Sequence, residues 1–388
     1  MIPVAEALEK VLALVTPLST ETVPIRHAAG RVLAEDAVAR LTQPPFAASA
    51  MDGYAVAGDA ETYRVVGEAA AGRPWDGRIG AGEAVRIFTG APVPDGGVRV
   101  LIQEDVTRDG DTIRPVPGAE AGPHIRPAGQ DFRRGNRIAA PRRLGPAEIA
   151  LLAAMNLPEV RVTRRPEVAL IATGDELVHP GEDPGPGQIV TSNTYGLAAM
   201  VEQAGGLARL LPTARDDAAS LSAAFDLARG ADLVVTVGGA SVGDHDLVAG
   251  VAEGRGMERA FHKVAMRPGK PLMAGRIDGM PMLGLPGNPV SALVCGVIFL
   301  LPAVRALSGL PKGPAPRRRA PLAEPVAANG PREHYMRATL GPDGLRAAAR
   351  QDSALLSVLA GADALLVRPP DDPAKQAGEA MDYVSLSG

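Results

Sequence analysis

The stretch Val168-Ala-Leu-Ile-Ala-Thr-Gly-Asp-Glu176 decides the fold of this 388-residue chain, because five apolar residues in a row run into a turn that carries two acids. A second stretch of this kind is Asp232-Leu-Val-Val-Thr-Val-Gly-Gly-Ala-Ser-Val-Gly-Asp244. Helical patterns at Thr194–Gln203 and Ala218–Ala228 lie between the two. Unbroken apolar strands that alternate with helices are typical of a parallel sheet covered on both faces. Residues 166–308 are therefore predicted to form a doubly wound α/β domain.

Acidic side chains follow three consecutive strands of this predicted sheet. They are Asp175 and Glu176 after the first strand, Asp216 and Asp217 after the second, and Asp244 and Asp246 after the third. The carboxyl ends of parallel strands meet at one edge, where ligands of such sheets bind. Carboxylates bind Mg²⁺ through oxygen, and the Gly238–Gly239 turn lets backbone approach a ligand closely. Each acid alone is also explained as a surface charge or, for Asp217, as a helix cap.

A basic stretch, Phe261-His-Lys-Val-Ala-Met-Arg-Pro-Gly-Lys-Pro271, precedes the turn Gly284-Leu-Pro-Gly-Asn-Pro-Val-Ser291. Its three cations are Lys263, Arg267 and Lys270. Asn288 suits a helix cap and Pro289 the first helical turn. Cations beside a helix N-terminus favour an anion such as a phosphate or another oxyanion. The alternative explanation is a solvated basic loop beside a structural turn.

The amino-acid composition limits the classes of protein to which this chain can belong. The chain is 46% apolar but only 3% aromatic, which predicts an aliphatic core, and its net charge of −4 argues against nucleic-acid binding. The single cysteine, Cys295, lies in an apolar run and suits an inert core position in a reducing cytoplasm. The N-terminus lacks the pattern of a signal peptide, and the longest apolar run is shorter than the ~20 residues of a membrane span. We therefore expect a soluble, cytoplasmic protein without a membrane segment.

The sequence outside residues 166–308 has a different pattern of apolar and turn-forming residues. Helical spacing appears at residues 3–15 and returns at Gly145, with Pro146 at the first helical position. Residues 41–129 hold short β-like runs separated by Gly, Pro and Asp turns, which predicts a small β-domain. Residues 308–320 form a Pro-rich basic linker, and the β-like runs of residues 321–388 predict a second small β-domain.

Six motifs, taken in order along the whole chain, resemble the molybdopterin molybdenumtransferases, the MoeA and gephyrin E-domain family. Each motif is weak alone, but the ordered set is specific. They are Ser49-Ala-Met-Asp-Gly-Tyr-Ala55, Phe88-Thr-Gly-Ala91, Thr173-Gly-Asp-Glu-Leu177, Gly238-Gly-Ala-Ser-Val-Gly-Asp244, Arg267-Pro-Gly-Lys-Pro271 and Gly284-Leu-Pro-Gly-Asn-Pro-Val-Ser291.

The resemblance implies a multidomain architecture with four parts. These are an elongated linking domain (1–40 and 130–165), a β-rich insert domain (41–129), the central α/β molybdopterin-binding domain (166–308) and a C-terminal β-barrel (309–388). It also implies a reaction: adenylylated molybdopterin and molybdate are the substrates, Mg²⁺ assists, and AMP is released. Family members are homodimers whose active cleft is shared between subunits, and transient contacts with molybdopterin-synthesis and molybdoenzyme-maturation proteins are expected.

Matching the motifs position by position carries the family's functional residues onto this chain. The residues with expected catalytic roles are Asp52, Thr89, Glu176, Asp216, Asp246, Lys263 and Arg267, of which Glu176, Asp216 and Asp246 are the expected metal ligands. Those expected to bind substrate are Thr173, Gly238, Gly239, Ser241, Lys270, Pro286, Gly287, Asn288, Pro289 and Ser353. Departures from the family pattern are Ala240, Arg267 where lysine is frequent, Ala47-Ala48 before the first motif, and Thr191-Ser-Asn193.

Two other functions stay open at this point. A molybdopterin adenylyltransferase would use ATP in the preceding step, but that family consists of the α/β domain alone. A non-enzymatic scaffold, as gephyrin relatives also are, would not need the carboxylates of the site.

Overall fold

The computed structural model describes residues 1–120, 122–239 and 247–386. The first of its elements along the chain are helix α1 (Val4–Leu14) and strands β1 (Thr20–Pro24), β2 (Val32–Leu33), β3 (Ala37–Val38) and β4 (Ala48–Ser49). The next are β5 (Gly53–Val56), β6 (Tyr63–Ala69), β7 (Glu83–Ile87), β8 (Arg99–Ile102), β9 (Val106–Asp109), β10 (Thr112–Pro115) and β11 (Ile125–Arg126). They are followed by β12 (Arg137–Ile138), β13 (Arg142–Arg143), α2 (Pro146–Ala154) and β14 (Glu159–Thr163).

The second half of the chain begins with the α/β region. Its elements are β15 (Glu167–Ala172), β16 (Leu177–Val178), β17 (Ile189–Val190), α3 (Asn193–Gln203), β18 (Leu207–Leu210), α4 (Ala218–Leu227), β19 (Leu233–Val237), α5 (Leu247–Gly254), β20 (Glu258–His262), β21 (Met266–Arg267), β22 (Met273–Ile277), β23 (Met280–Leu285), α6 (Pro289–Cys295) and α7 (Leu301–Leu307). The C-terminal elements are β24 (Arg317–Pro321), β25 (Glu333–Gly341), β26 (Gly344–Ala347), α8 (Leu356–Ala360), β27 (Ala364–Arg368) and β28 (Ala380–Ser385).

Strands on either side of the insert pair with each other. The linking sheet has the order β1-β14-β2-β13, and all its pairs are antiparallel. Its core includes Leu33, Leu144, Leu152 and Val162. The insert itself forms a six-stranded sheet of order β8-β5-β7-β6-β10-β9. The predicted discontinuous linking unit and β-rich insert are therefore present in the fold, while the residue boundaries between domains stay predictions.

The central sheet has the order β18-β15-β19-β23-β22-β20. The first four strands are parallel, but β22 pairs antiparallel with β23 and the edge strand β20 pairs antiparallel with β22, which the sequence pattern did not predict. Alternate residues of β15 enter two different cores: Val168 and Leu170 pack with α3, and Ala169 and Ile171 pack with α4 and α5. Helices on both faces confirm the doubly wound α/β prediction. Because β18 and β19 lie on opposite sides of β15, the crevice at its carboxyl end is the expected ligand site.

The C-terminal sheet curls into a small barrel. Strand pairing runs β26-β25-β27-β28-β24, and a parallel bridge between Leu322 and Leu345 joins the last strand back to the first. Strand β21 of the α/β region also pairs with β25. The predicted β-barrel is therefore confirmed, and it is attached directly to the basic stretch of the α/β region.

Two helices contribute to the core of the α/β region. Helix α1, assigned above to the linking domain, places Val4, Leu8 and Val11 in the α/β core. Helices α6 and α7 join through a π-helical segment, Gly296–Leu300, into a continuous 19-residue helix. By length and composition alone this helix is long and apolar enough to cross a membrane, so the predicted run was too short. However, 83% of its most apolar window is buried inside the protein, where it forms the core beneath the sheet.

Candidate active site

A cavity of about 1190 Å³, which we call the first cavity, opens at the carboxyl ends of β15, β19 and β23. This is the crevice that the strand order predicts. Nine of the predicted site residues line it: Thr173, Glu176, Asp216, Gly238, Gly239, Pro286, Gly287, Asn288 and Pro289. Ile189 and Val190 add an exposed apolar margin.

Closely packed backbone forms the floor of the first cavity. The Thr173 N–H donates to Val237 O (3.0 Å), and the Gly238 N–H donates to Leu285 O (3.1 Å). Gly238 has φ +97°, and a Cβ there would lie 2.6 Å from the Thr173 carbonyl oxygen. Only glycine fits such a position. Because this turn carries no side chain, it does not fill the cavity.

The turn before α6 contributes differently from its prediction. Asn288 stands at the N-cap position, and Pro289 begins the helix, but the Asn288 side chain makes no capping hydrogen bond. The Gly287 carbonyl oxygen instead accepts from Asn193 Nδ2 (2.7 Å). The expected side-chain cap is thus wrong, and the turn is held from the start of α3.

The acids at the strand ends divide into two roles. Asp217 caps α4 by accepting from the Ser220 N–H (2.8 Å), as the capping explanation predicts. Asp175 Oδ1 accepts from the Asp216 N–H (3.2 Å), which ties two of the strand-end loops together. Glu176 and Asp216 are the acids among the described residues that line the cavity. The predicted Ser241, Asp244 and Asp246 lie outside the described residues.

Of the three predicted metal ligands, Glu176 and Asp216 lie within the described residues. Within the described part of the chain, no group of three acidic, His or Cys side chains is arranged to hold a metal ion. Two exposed carboxylates at one cavity, Glu176 and Asp216, do fit Mg²⁺ that takes its other ligands from substrate phosphates and water. They do not form an all-protein metal cage.

A second cavity of about 340 Å³ adjoins the first, and Pro271 and Asn288 line both. Its remaining lining residues are Arg267, Pro268, Gly269, Lys270, Ser291, Arg332, Gln351, Asp352 and Ser353. Arg267, Lys270 and Arg332 supply three positive charges, against one carboxylate among the lining residues. This excess of positive charge suits an oxyanion.

The structure brings together two of the three cations predicted from the basic stretch. Lys263 lines neither cavity: its backbone N–H donates to Leu272 O (2.9 Å), and its φ is +81°. Sequence reasoning missed Arg332, Ser291 and Gln351 as residues that line the second cavity. Arg332 directly precedes strand β25 of the C-terminal barrel.

Asp52 and Thr89 form a separate unit on the insert. Asp52 Oδ1 accepts from the Thr89 N–H (2.7 Å) and from its Oγ1 (2.8 Å). These hydrogen bonds, the backbone one first, lower the pKa of Asp52, and the positive charge of Arg86 acts in the same direction. The Arg86 guanidinium lies between the Tyr54 and Phe88 rings, 5.0 and 4.8 Å from their centroids. Thr89 is exposed and Asp52 is half-buried, and neither lines the first or the second cavity.

Comparisons with known proteins agree with this architecture. Family profiles match as the MoeA N-terminal region (domains I and II) over residues 2–156, a probable molybdopterin-binding domain over 169–306, and the MoeA C-terminal region (domain IV) over 319–386. Molybdopterin molybdenumtransferase 2 of Mycobacterium tuberculosis is 39% identical over 335 residues, covering 82% of this chain and 83% of that protein. Molybdopterin molybdenumtransferase of Nostoc sp. is 37% identical over 370 residues, covering 90% and 85%.

Solved structures give the same result for the whole chain. Two structures of the molybdopterin biosynthesis MoeA protein of Pyrococcus horikoshii superpose with TM-scores of 0.80 and 0.81. They share 32% and 28% identity and cover 100% and 99% of both chains. From its motifs, its fold and these comparisons, this chain belongs to the molybdopterin molybdenumtransferase (MoeA) family.

Proposed function

We propose that this chain is an enzyme that transfers molybdenum from molybdate into adenylylated molybdopterin and releases AMP. The observation that carries the proposal is the pair of adjoining cavities. A large cavity with a backbone floor and two carboxylates opens beside a small cationic one, and Pro271 and Asn288 line both. Relatives named molybdopterin molybdenumtransferase support this assignment of the reaction.

The two cavities suit the two substrates. The first has the volume and the apolar margin for an organic ligand such as adenylylated molybdopterin. The second has Arg267, Lys270 and Arg332 for molybdate, a dianion whose oxygens accept hydrogen bonds from each cation. Because the cavities adjoin, molybdate in the second lies beside the ligand in the first, and this proximity favours transfer.

The carboxylates of the first cavity transfer protons. With Mg²⁺ bound, they would also help to neutralise the charge of the substrate phosphates. Each oxo group that leaves molybdate as water takes up two protons, and Glu176 and Asp216 relay them. The same two side chains would hold Mg²⁺, which neutralises phosphate charge when bound. The thiolates that receive molybdenum belong to the pterin, because Cys295 is fully buried and burial raises the pKa of its thiol.

The insert completes the cleft in a homodimer. On the insert, Thr89 is exposed and Asp52 is half-buried, and neither lines the first or the second cavity of its own chain. We propose that they face the first cavity of a partner subunit, which makes the active site a property of the dimer.

An assay of AMP release tests the proposed reaction. Purified protein with adenylylated molybdopterin, molybdate and Mg²⁺ should release AMP in a molybdate-dependent manner, and the E176A variant should be at least ~10²-fold slower. Asp183→Ala is the matched control, since Asp183 is an exposed acid between β16 and β17 that does not line the cavity. AMP release without molybdate, or wild-type rates in E176A, would contradict the proposal.

Two further experiments distinguish the proposed enzyme from an adenylyltransferase and from a scaffold. Incubation with ATP and molybdopterin should give no adenylylated product, and a positive result would identify an adenylyltransferase instead. If E176A and D216N still supported molybdenum cofactor synthesis in cells, a scaffold role would replace the enzymatic one.

A further inference from the structure

Arg86, in strand β7 of the insert, reaches across its sheet to two neighbouring segments. Its Nη1 atom donates to the Gly53 carbonyl oxygen of β5 (3.1 Å), and its Nη2 atom donates to Gln103 Oε1 (2.6 Å), directly after β8. Strand β5 lies between β7 and β8, and Tyr54 of β5 pairs with Arg86 in register. One guanidinium therefore joins three adjacent parts of the sheet at the end that carries Asp52.

Two loops at this end of the sheet hold both the backbone and the carboxylate of Asp52. The Asp52 carbonyl oxygen accepts from the Gln103 N–H (3.0 Å). Its Oδ1 atom accepts from the N–H and the Oγ1 of Thr89 (2.7 and 2.8 Å). The Arg86 guanidinium contacts both loops, because it bonds the Gln103 side chain and packs against the ring of Phe88. The orientation of Asp52 therefore depends on the position of this guanidinium.

Two aromatic rings fix the plane of the guanidinium. Its Cζ atom lies 5.0 Å from the centroid of the Tyr54 ring and 4.8 Å from that of the Phe88 ring. Phe88 directly precedes Thr89 in the chain. A planar guanidinium can stack on rings and donate hydrogen bonds from its edges at the same time, which a lysine ammonium cannot. The arrangement therefore requires arginine at position 86.

Arg99, in the neighbouring strand β8, is an arginine of the same sheet with a different role. Its Nη2 atom lies 2.9 Å from Asp59 Oδ1, and the Asp59 side chain is 87% exposed. This pair lies at the opposite end of the sheet from Asp52, since Arg99 pairs in register with Val56 at the end of β5. An ion pair with such an exposed partner contributes little, so Arg99 serves as a reference for Arg86.

The charge of Arg86 acts in the same direction as its hydrogen bonds. The backbone and side-chain hydrogen bonds from Thr89 are the main causes that lower the pKa of Asp52, and the positive charge of Arg86 lowers it further. Such a cation favours the ionised form of Asp52 when other carboxylates come near.

We propose that Arg86 is a positioning residue for Asp52. It holds the Asp52 carboxylate and the Thr89 loop in the arrangement that meets the first cavity of the partner subunit, and it does not touch the substrate itself. This inference rests on the proposed function, because it requires that Asp52 acts in the transfer of molybdenum.

Kinetics of AMP release test the inference in Arg86→Met. The kcat should fall about 10-fold or more, the effect expected when a charged hydrogen-bonding group is lost. Arg86→Lys, which keeps the charge and one donor but not the planar shape, should recover part of the rate. Equilibrium dialysis should show molybdate affinity within about twofold of wild type, because Arg86 lines neither cavity and distant sites act independently.

A double-mutant cycle with Asp52→Asn distinguishes positioning from a general structural effect. Because Arg86 acts through Asp52, the rate of R86M/D52N should be within about twofold of D52N alone, whereas independent effects would multiply. The acid limb of the pH–rate profile should also move to higher pH in R86M, because the pKa of Asp52 rises when the cation is lost. In the D52N background this shift should be absent.

Mixed dimers test where Arg86 acts. In a dimer of one R86M chain and one E176A chain, one first cavity keeps its glutamate and meets the insert that has the intact arginine. Such dimers, purified through two different tags, should regain about half of the wild-type rate, because one of the two symmetric sites is complete. Dimers of D52A and E176A chains are the reference and should regain the same rate.

Arg99→Met is the matched control, because it removes an arginine from the same sheet at the end away from Asp52. It should leave kcat within about twofold of wild type, as expected when one exposed ion pair is lost. Gln103→Ala removes the acceptor of Arg86 and provides a second route if R86M does not fold, and kcat should fall in this variant as well.

Three results would overturn the inference while leaving the proposed reaction intact. They are a wild-type kcat in R86M or, where R86M does not fold, in Q103A; a rate of R86M/D52N well below that of D52N; and rescue of the D52A dimers but not of the R86M dimers. Rescue of neither kind of dimer would contradict the shared cleft and the inference with it. If wild-type protein releases no AMP, the proposed function itself fails, and the inference fails too.

Discussion

The two cavities of this chain are built in different ways. The first lies within the α/β region, and backbone atoms at three strand ends form its floor. The second takes side chains from two regions, with Arg267 and Lys270 on one side and Arg332 and Ser353 on the other. The comparison teaches that one cavity follows from strand topology, whereas the other exists only because the barrel packs against the α/β region.

Because of this difference, we expect the two cavities to respond differently to substitutions. A cavity formed by backbone contacts at 3.0–3.1 Å has no room for an added side chain, so its variants should fail abruptly. In a cavity lined by cations, each substitution of one cation should lower the affinity for an oxyanion by a limited amount, since each cation contributes separately. Salt screens part of this effect.

The largest expected effect comes from Gly238→Ala in the first cavity. The new Cβ would overlap the Thr173 carbonyl oxygen at a φ of +97°, which costs about 1–3 kcal/mol for strain and a similar amount for overlap. AMP release should be lost, and urea unfolding should show the destabilisation. Gly230→Ala is the control, because its φ is +84° but nothing lies within 4 Å of an added Cβ. If both variants lose activity equally, the floor of the cavity is not the cause.

An intermediate effect is expected from Arg267→Ala in the second cavity. Loss of one charged donor should weaken molybdate binding about 10- to 100-fold, equivalent to about 1.5–3 kcal/mol. Added salt should weaken wild-type binding more than binding by the variant. Dialysis at two ionic strengths measures both effects, with Arg318→Ala, an exposed arginine of β24, as control. Unchanged affinity in R267A would place the oxyanion elsewhere.

The smallest effect concerns pH and the barrel side of the second cavity. Burial first, and then Arg267, Arg337, Arg368 and Arg332, lower the pKa of His334 to about 4. An unfolded histidine titrates near ~6.5, so between these values the unfolded chain binds more protons than the folded one. The stability present above pH ~6.5 is therefore lost as the pH falls toward 4, by at most about 2 kcal/mol down to pH 5.

His334→Gln should flatten this dependence. Urea unfolding at pH 7 and pH 5 measures it, and His27→Gln, at an exposed histidine, should leave the wild-type slope in place. A slope unchanged in H334Q would mean that another group causes the acid sensitivity.

Strand-end residues were predictable because they depend on local patterns. The apolar run that ends at Ala172 is followed by Thr173-Gly174, and the one that ends at Val237 is followed by Gly238-Gly239. Both turns lie where parallel-sheet topology places them. The capping role of Asp217 was available for the same reason, since a cap needs only its own helix.

Other features depend on which side of a segment faces inward. Spacing alone placed Lys263 with Arg267, but the backbone at Lys263 is left-handed and the residue lines neither cavity. Arg337 lies in a strand whose pattern does not distinguish a solvated arginine from a buried one. The antiparallel strand β22 was missed because the basic loop before it dominates the local sequence.

By itself, the sequence determined the family, the doubly wound α/β region, the two β-rich parts and nine of the residues that line the first cavity. Apolar periodicity and glycine turns are local properties, and topology then brings strand ends together. Only the tertiary structure decided the second cavity. Arg332 and the Gln351–Ser353 loop reach Arg267 through the packing of the barrel, and such long-range contacts leave no periodic signal in the chain.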